Sequence, residues 1–385
     1  MKTFEKDGSI DLSVVLPCKN ESKTIGVCIE KILRVFEREK INGEIIVADS
    51  STDKSAEVAK KLGARVVVPW NAGYGNAYLA GFAAAQGKFV VMGDADNTYD
   101  FDEIPRLLEP LKSKKADFVL GSRLKGKIMP KAMPWLHQYV GNPALSALLN
   151  LFFSTNFSDT HCGFRAITKK ALDGLDLHAT GMEFASEMVI KASKNNLRTV
   201  EVPITYYARQ GQAPHLRTFS DGWRHLRFML LYAPNYLFMV PGFFMLVLGL
   251  ILLSTLVSGP VNVFGFFLDI HPLFIGSMLS ILGFQVLIMG LFTKVYAVNS
   301  KLEKPSKTIF LLYKYFTLER ATVVGLGIIA VGILFGLTIL YDWYLRGFGN
   351  LFEIRRGIIA LTFLVLGTQF VFSAFFLSIL GIEKR

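Results

Sequence analysis

Between Phe228 and Leu268 the chain carries no Asp, Glu, Lys or Arg. A soluble core cannot absorb a neutral run of that length, whereas a membrane span needs about 20 such residues. The chain therefore divides. Residues 1–230 are expected to form a charge-rich soluble head and residues 231–385 a membrane domain. Charge-free stretches long enough to cross a bilayer fall at about 235–257, 272–293, 321–341 and 357–382. None has an ionisable residue in its middle, so an ion or proton pathway gains no support. The four segments are read as spans that anchor the soluble head.

Their connections predict an orientation. Residues 258–271 hold no Lys or Arg, whereas 297–320 hold Lys301, Lys304, Lys307, Lys314 and Arg320. Basic loops favour the cytoplasmic side, and with two spans between them this loop and the head share it. Arg346, Arg355 and Arg356 in the third loop weaken the bias without reversing it. The N-terminal MKTFEKDGSIDLSVVLP is polar and then strand-like, without the apolar stretch of a signal peptide. The expected location is the cell membrane, or the endoplasmic reticulum membrane in a eukaryote, with a multi-pass domain and a head facing the cytoplasm.

In the head, strand and helix signals alternate. LSVVLP (12–17), EIIVAD (44–49), RVVVP (65–69), KFVVMGD (88–94) and ADFVLGS (116–122) are separated by segments of helical periodicity. That alternation predicts a parallel α/β sheet, whose ligands gather at the carboxyl ends of the strands. Those ends read Cys18-Lys19-Asn20-Glu21, Asp49-Ser50-Ser51-Thr52-Asp53, Asp94-Ala95-Asp96 and Gly121-Ser122-Arg123. Acidic residues at three strand ends would repel a bare phosphate. They make sense around a divalent cation, Mg²⁺ or Mn²⁺, with sugar or base hydroxyls nearby, because Mg²⁺ binds through one or two carboxylates plus substrate phosphates. Gly73-Tyr74-Gly75-Asn76 opens a helix, but Tyr78 stands where a dinucleotide fingerprint needs glycine, and no Walker lysine follows. The cluster is read as a tight turn. Cys18, Cys28 and Cys162 make no disulfide framework, and Cys18 and Cys28 lack a histidine that would complete a zinc site.

The order VVLPCKNES, VADSSTD, MGDAD, GSR, DTHCGFR resembles a family 2 glycosyltransferase with a GT-A, Rossmann-like nucleotide-sugar domain. GMEFASEMVIKA, VPITY and HLRTFSDGWRHLRFMLLY resemble the dolichol-phosphate-mannose and dolichol-phosphate-glucose synthase branch. GLFTKVYAV, FTLER and QFVFSAFFLSILG resemble its four-span, all-α tail. The likeness implies that Pro17, Asn20, Glu21 and Asp49 hold base and ribose. It implies that Asp94 and Asp96, with Ala95 between them, hold the sugar diphosphate and its metal, and that Arg123 meets the acceptor phosphate. In the mannose synthases an arginine stands about where His137 falls, and Thr98 replaces a glutamine that assists the metal. His137, Arg165 in DTHCGFR and Arg217 in HLRTF complete the acceptor-phosphate candidates. The implied partners are a nucleotide sugar (UDP-glucose or GDP-mannose), a polyprenyl phosphate and the membrane. A homo-oligomer is allowed and no nucleic acid is expected.

The implied chemistry is inverting transfer of a hexose to a polyprenyl phosphate. That acceptor is already anionic at neutral pH, its second pKa lying near 6, so it needs no general base. Two stretches are suited to the membrane surface: PALSALLNLFF (143–153), too short to span, and HLRTFSDGWRHLRFML (215–230), which alternates Arg217, Arg224 and Arg227 with apolar residues. Glu183 and Glu187 lie four apart on one helix face, with roles left open. A processive polysaccharide synthase is the competing enzyme reading, although no Q-x-x-R-W occurs. A non-catalytic scaffold or lipid-flipping partner is the competing non-enzyme reading.

Overall fold

A computed structural model of the chain describes residues 9–210, 218–299 and 317–381. Arg217 and the loop lysines Lys301, Lys304, Lys307 and Lys314 lie outside the described residues. The chain forms two compact units, Met1–Met229 and Leu230–Arg385.

The first unit is built on a seven-stranded sheet ordered β3-β2-β1-β4-β6-β5-β7. Its strands are β1 (Leu12–Cys18), β2 (Gly43–Asp49), β3 (Arg65–Val67), β4 (Phe89–Met92), β5 (Phe118–Ile128), β6 (Arg165–Thr168) and β7 (Thr199–Tyr206). Leu12, Val14, Val15 and Leu16 are all buried, as befits a central strand covered on both faces. The helix α1 (Ile25–Arg38) buries Ile25, Ile29, Ile32 and Phe36, a stripe at helical spacing that docks on the sheet. Further helices are α2 (Ser55–Lys61), α3 (Tyr74–Ala84), α4 (Ile104–Lys112), α5 (Asn142–Phe153), α6 (Lys169–Asp173), α7 (Phe184–Lys194) and α8 (Thr218–Tyr232).

The expected all-parallel sheet is in fact mixed. β6 runs antiparallel to both β4 and β5, placing Arg165 opposite Met92 and Leu120. Four residues, Arg165–Thr168, are too few to show a strand period in the sequence. β5 pairs with β7 in parallel, and the register shifts between Ser122 and Lys127. Gly126 sits in that irregular stretch, and a Cβ there would lie 1.9 Å from the Ile204 carbonyl oxygen. Close backbone approach therefore requires glycine at this point.

Among the described residues, the second unit contains four helices long and apolar enough to cross a membrane: Asn235–Leu256, Ile270–Asn299, Leu318–Leu345 and Ile354–Leu380. Glycines carry their packing. A Cβ on Gly249 would lie 2.4 Å from the Ser280 nitrogen, and one on Gly332 would lie 2.8 Å from that of Leu364. Small residues let spans approach where lipid supplies no hydrophobic drive between them. Across the second and fourth spans, Ser277 and Thr362 share a hydrogen bond of 2.7 Å, and Gln369 donates to Gln285 at 3.0 Å. The first two spans are joined by a short hairpin, β8 (Val261–Val263) and β9 (Phe266–Leu268), absent from the sequence reading.

Candidate active site

β1, β2 and β4 are parallel neighbours, with Cys18 beside Asp49 and Val15 beside Met92. Their carboxyl ends thus open on one edge, where the connections reverse direction between β1 and β4. Such a switch point is where open α/β sheets bind ligands. The loops after β1 and β2 are fastened to each other. Asn20, left-handed at φ 60°, donates its backbone N–H to Ser51 Oγ at 2.7 Å and accepts from Thr52 N at 2.8 Å. Asp49 accepts from Ser51 Oγ at 2.5 Å. Asp53 accepts from Ser55 N and Oγ and from Ser22 N. Asp53 therefore ties the loops together, while half-buried Pro17, Asn20 and Glu21 line the edge.

Beyond β4, Asp94 and Asp96 flank the buried Ala95. Tyr74 and Tyr78, one turn apart on α3, both donate to Asp94 Oδ1, at 3.2 and 3.4 Å. Burial and then the neighbouring Asp96 push the Asp94 pKa up to about 7, against the pull of Tyr74, Arg123 and Tyr78. Asp96 Oδ1 accepts from Thr98 N and Oγ1 at 3.1 and 2.6 Å. Its Oδ2 lies 3.7 Å from Nε of Arg209, a residue the sequence did not single out. Arg209 follows β7 and also forms an ion pair with Glu21. Its buried Nε has no hydrogen-bond partner. Burial first raises the Glu21 pKa, with Arg209 lowering it and Asp96 raising it.

The donor set fits a hard divalent cation. Asp94 and Asp96 offer carboxylate oxygens. Among the described residues no group of three or more His, Cys, Asp or Glu gathers to enclose an ion. Such a site suits Mg²⁺ or Mn²⁺, whose coordination substrate phosphates complete.

Arg123 stands on β5, parallel to β4 across β6, and its charge is felt at Asp94. It pairs with the buried Asp159 and lies 5.2 Å from the Tyr206 ring centre. It also lines a cleft of about 340 Å³ with Gln138, Tyr139 and Pro143. His137 begins the single helical turn, His137–Gly141, that supplies Gln138 and Tyr139, and leads into α5. Trp135, Tyr139 and Leu151 in this segment are well exposed, which fits a surface that meets lipid.

Arg165 does not fit the acceptor role expected of it. It is fully buried, and it donates to the carbonyls of Cys162, Ala185 and Thr160 at 2.7, 2.8 and 2.8 Å. It ties β6 to α7 beneath the site, beyond reach of a phosphate. The two open glutamates also separate. Glu187 is buried, accepts from His178 N and Ala179 N, and pairs with Lys191. Glu183 accepts from Gly181 N, while its buried Oε2 has no partner.

A mixed GT-A-like sheet with an Asp-x-Asp at its switch point is a glycosyltransferase architecture. Residues 13–175 match the model for glycosyl transferase family 2, and 291–381 match that for the family 2 C-terminal transmembrane region. A low-salt glycan biosynthesis hexosyltransferase, Agl6, from Haloferax volcanii is 42% identical over 98% of this chain and 91% of that one. A dolichyl-phosphate hexose transferase from the same organism is 32% identical over 55% of this chain and 89% of that one. A UDP-N-acetylglucosamine–dolichyl-phosphate N-acetylglucosaminyltransferase from Methanococcus voltae is 30% identical over 52% and 87%. The chain belongs to glycosyltransferase family 2 and is a multi-pass membrane glycosyltransferase. The family resemblance and the fold class read from the sequence are borne out.

Proposed function

We propose that the enzyme transfers a hexose, with inversion, from a nucleotide sugar to a polyprenyl phosphate at the cytoplasmic face of the membrane. The observation that carries this reading is the placement of Arg123, which pulls the Asp94 pKa down and lines a cleft with Gln138, Tyr139 and Pro143. A lipid phosphate entering from the interfacial turn and α5 would thus meet a cation beside the donor site. The names of the relatives, which include a hexosyltransferase and two dolichyl-phosphate transferases, support the same substrate classes.

In this reading Asn20, Glu21 and Asp49 hold the nucleoside end, with Pro17 shaping the edge. Asp94 and Asp96 hold Mg²⁺ or Mn²⁺, which would offset the charge building on the leaving diphosphate. Thr98 fixes the Asp96 rotamer through two hydrogen bonds. Arg209 adds a positive charge beside Asp96, where the donor's phosphates would lie. Arg123, with His137 at the start of the turn that supplies Gln138 and Tyr139 to its cleft, orients the acceptor phosphate. One phosphate oxygen forms the new bond to the anomeric carbon as the bond from that carbon to the diphosphate breaks, and the electron pair leaves with the nucleoside diphosphate. No proton moves, because the attacking oxygen is already ionised. The protein's task is to bring two anions together, which calls for fixed cations rather than a base. The purified full-length protein, assayed with a panel of nucleotide sugars and one short polyprenyl phosphate, tests this. Hexosyl polyprenyl phosphate from UDP-glucose or GDP-mannose is the expected product; polymer, or no lipid-dependent transfer from any donor, would refute it.

A further inference from the structure

The hairpin that joins the first two spans pairs Val261 with Leu268 and Val263 with Phe266. Its two turn residues, Phe264 at φ 48° and Gly265 at φ 84°, are both left-handed. That mirror-image turn normally selects Asn-Gly or Asp-Gly, and a bulky residue in this conformation is an outlier. Yet the strained side chain is not used for internal packing: Phe264 is 98% exposed, with Phe266 and Phe267 at 73% and 70%. An observed strain of this type points to function.

The position of the hairpin names its partner. Four residues separate Val261 from the end of the first span at Leu256, and Asp269 alone separates Leu268 from Ile270. At about 3.3 Å per residue, the second strand ends within roughly 7 Å of a span end, at Ile270. The charges on this membrane face are tied to one another: Arg355 pairs with Asp269 and donates to the Leu256 carbonyl, Arg356 pairs with Asp342, and Arg346 with Glu353. With four spans, the loop between the third and fourth lies on the same face. It too holds a left-handed phenylalanine, Phe348 at φ 61° and 60% exposed, although that ring packs edge-on against Trp343 and Tyr344.

We propose that the Phe264 hairpin is a lipid anchor, seated with its aromatic rings at the headgroup–acyl boundary of the leaflet on this face. Aromatic side chains concentrate at that depth. A two-stranded hairpin is marginal alone in water, and lipid contact would bury the apolar surface that the hairpin itself cannot. The rigid turn would fix how deep the first two spans sit.

The test uses the full-length protein, one chain per lipid nanodisc, carrying Phe264→Cys labelled with an environment-sensitive fluorophore. The native cysteines are all buried, which directs the label. Lys115→Cys, at an exposed position on the head, serves as the aqueous control. The expected result is at least twofold stronger quenching by shallow spin-labelled lipid at 264 than at 115, with severalfold weaker quenching by aqueous iodide. Iodide quenching equal to that of the control would place the tip in water and overturn the proposal. Protection from both quenchers would mean that protein covers the tip, and would also overturn it. Phe267→Cys supplies the same readout if a label at 264 disturbs the turn.

Discussion

Arg123 grips Asp159 along one edge of its guanidinium, with Nε to Oδ2 at 2.7 Å and Nη2 to Oδ1 at 2.8 Å. The Arg123 backbone N–H adds a third bond to Oδ2 at 3.1 Å. Behind this pair, Ser158 and Asp159 donate their backbone N–H groups to Glu201 on β7, at 2.8 and 3.0 Å. The acceptor-phosphate candidate is therefore a held cation, with its orientation set from behind.

That arrangement separates two variants. Arg123→Ala removes one partner of a buried pair, a change that costs about 3–5 kcal/mol. The variant should melt lower and also lose acceptor-dependent transfer. A charge-assisted contact is worth about 1.5–3 kcal/mol, or roughly 10–150-fold, so the loss in kcat/KM for the lipid should be at least tenfold. Arg123→Lys should recover part, because a point charge cannot reproduce the fork. Asp159→Asn keeps the cation but loosens it, so the acceptor KM should rise while nucleotide-sugar binding, followed by calorimetry, changes little. Collapsed donor binding with normal acceptor dependence would move Arg123 to the donor site.

Asp96→Asn should fold in detergent and be nearly inactive. A neutral amide binds Mg²⁺ or Mn²⁺ poorly, yet it can still accept from Thr98 as the carboxylate does. Mn²⁺ binding followed by electron paramagnetic resonance should weaken by at least tenfold in the presence of nucleoside diphosphate. Substantial metal-dependent turnover in this variant would refute the metal assignment.

Stereochemistry offers an independent check. Direct attack by the acceptor oxygen inverts the anomeric centre, so an α-linked nucleotide sugar should yield a β-linked lipid product. Proton coupling at the anomeric position of the purified product distinguishes the two. Retention would rule out single displacement.

The residues legible in the sequence are those that directly follow a strand. VVMGDAD announces a buried strand and then two carboxylates, and Asp94 and Asp96 indeed stand at the switch point. Arg209 left no such trace, because its partners Glu21 and Asp96 lie far away in sequence and meet it only after β7 joins the sheet. Tyr74 and Tyr78 had the i, i+4 spacing of one helix face, but the glycines between and before them drew the reading toward a turn. Arg165 was misplaced for the opposite reason. A charged residue beside a conspicuous motif looked like a ligand, and only the unseen strand β6 shows it turned into the core.

A pH response should come from His161. Burial comes first, and then the nearby His225, Arg123 and Arg165, in holding its pKa well below the usual 6.5. Thr160, Ser146 and Ser186 complete its polar surroundings, the last lying between His161 and His225. The folded state keeps this imidazole neutral, whereas the unfolded chain takes up a proton below about 6.5. The unfolded state then binds more protons, so stability falls as pH drops through that value. His161→Gln should flatten this acid limb of the melting temperature between pH 7 and 5, and an unchanged slope would remove His161 from the account.

The glycine turn before α3 gives the last prediction. A Cβ on Gly75 would lie 2.1 Å from the Ala179 carbonyl oxygen, while Gly75 and Asn76 donate their backbone N–H groups to the Thr180 carbonyl at 3.0 and 3.2 Å. The opposing loop cannot simply retreat, because Glu187 holds the N–H groups of His178 and Ala179. Gly75→Ala must therefore lift the start of α3, where Tyr74 on the first turn and Tyr78 on the next hold their hydroxyls on Asp94. The variant should lower the melting temperature and weaken Mn²⁺–nucleotide binding together. Tyr74→Phe removes one hydroxyl without moving the helix. It should weaken the same binding by roughly tenfold or more, as expected for one hydrogen bond to a charged group, and lower the melting temperature less than Gly75→Ala does. If Gly75→Ala bound the metal nucleotide as the parent does, the docking of α3 would not be what positions Asp94.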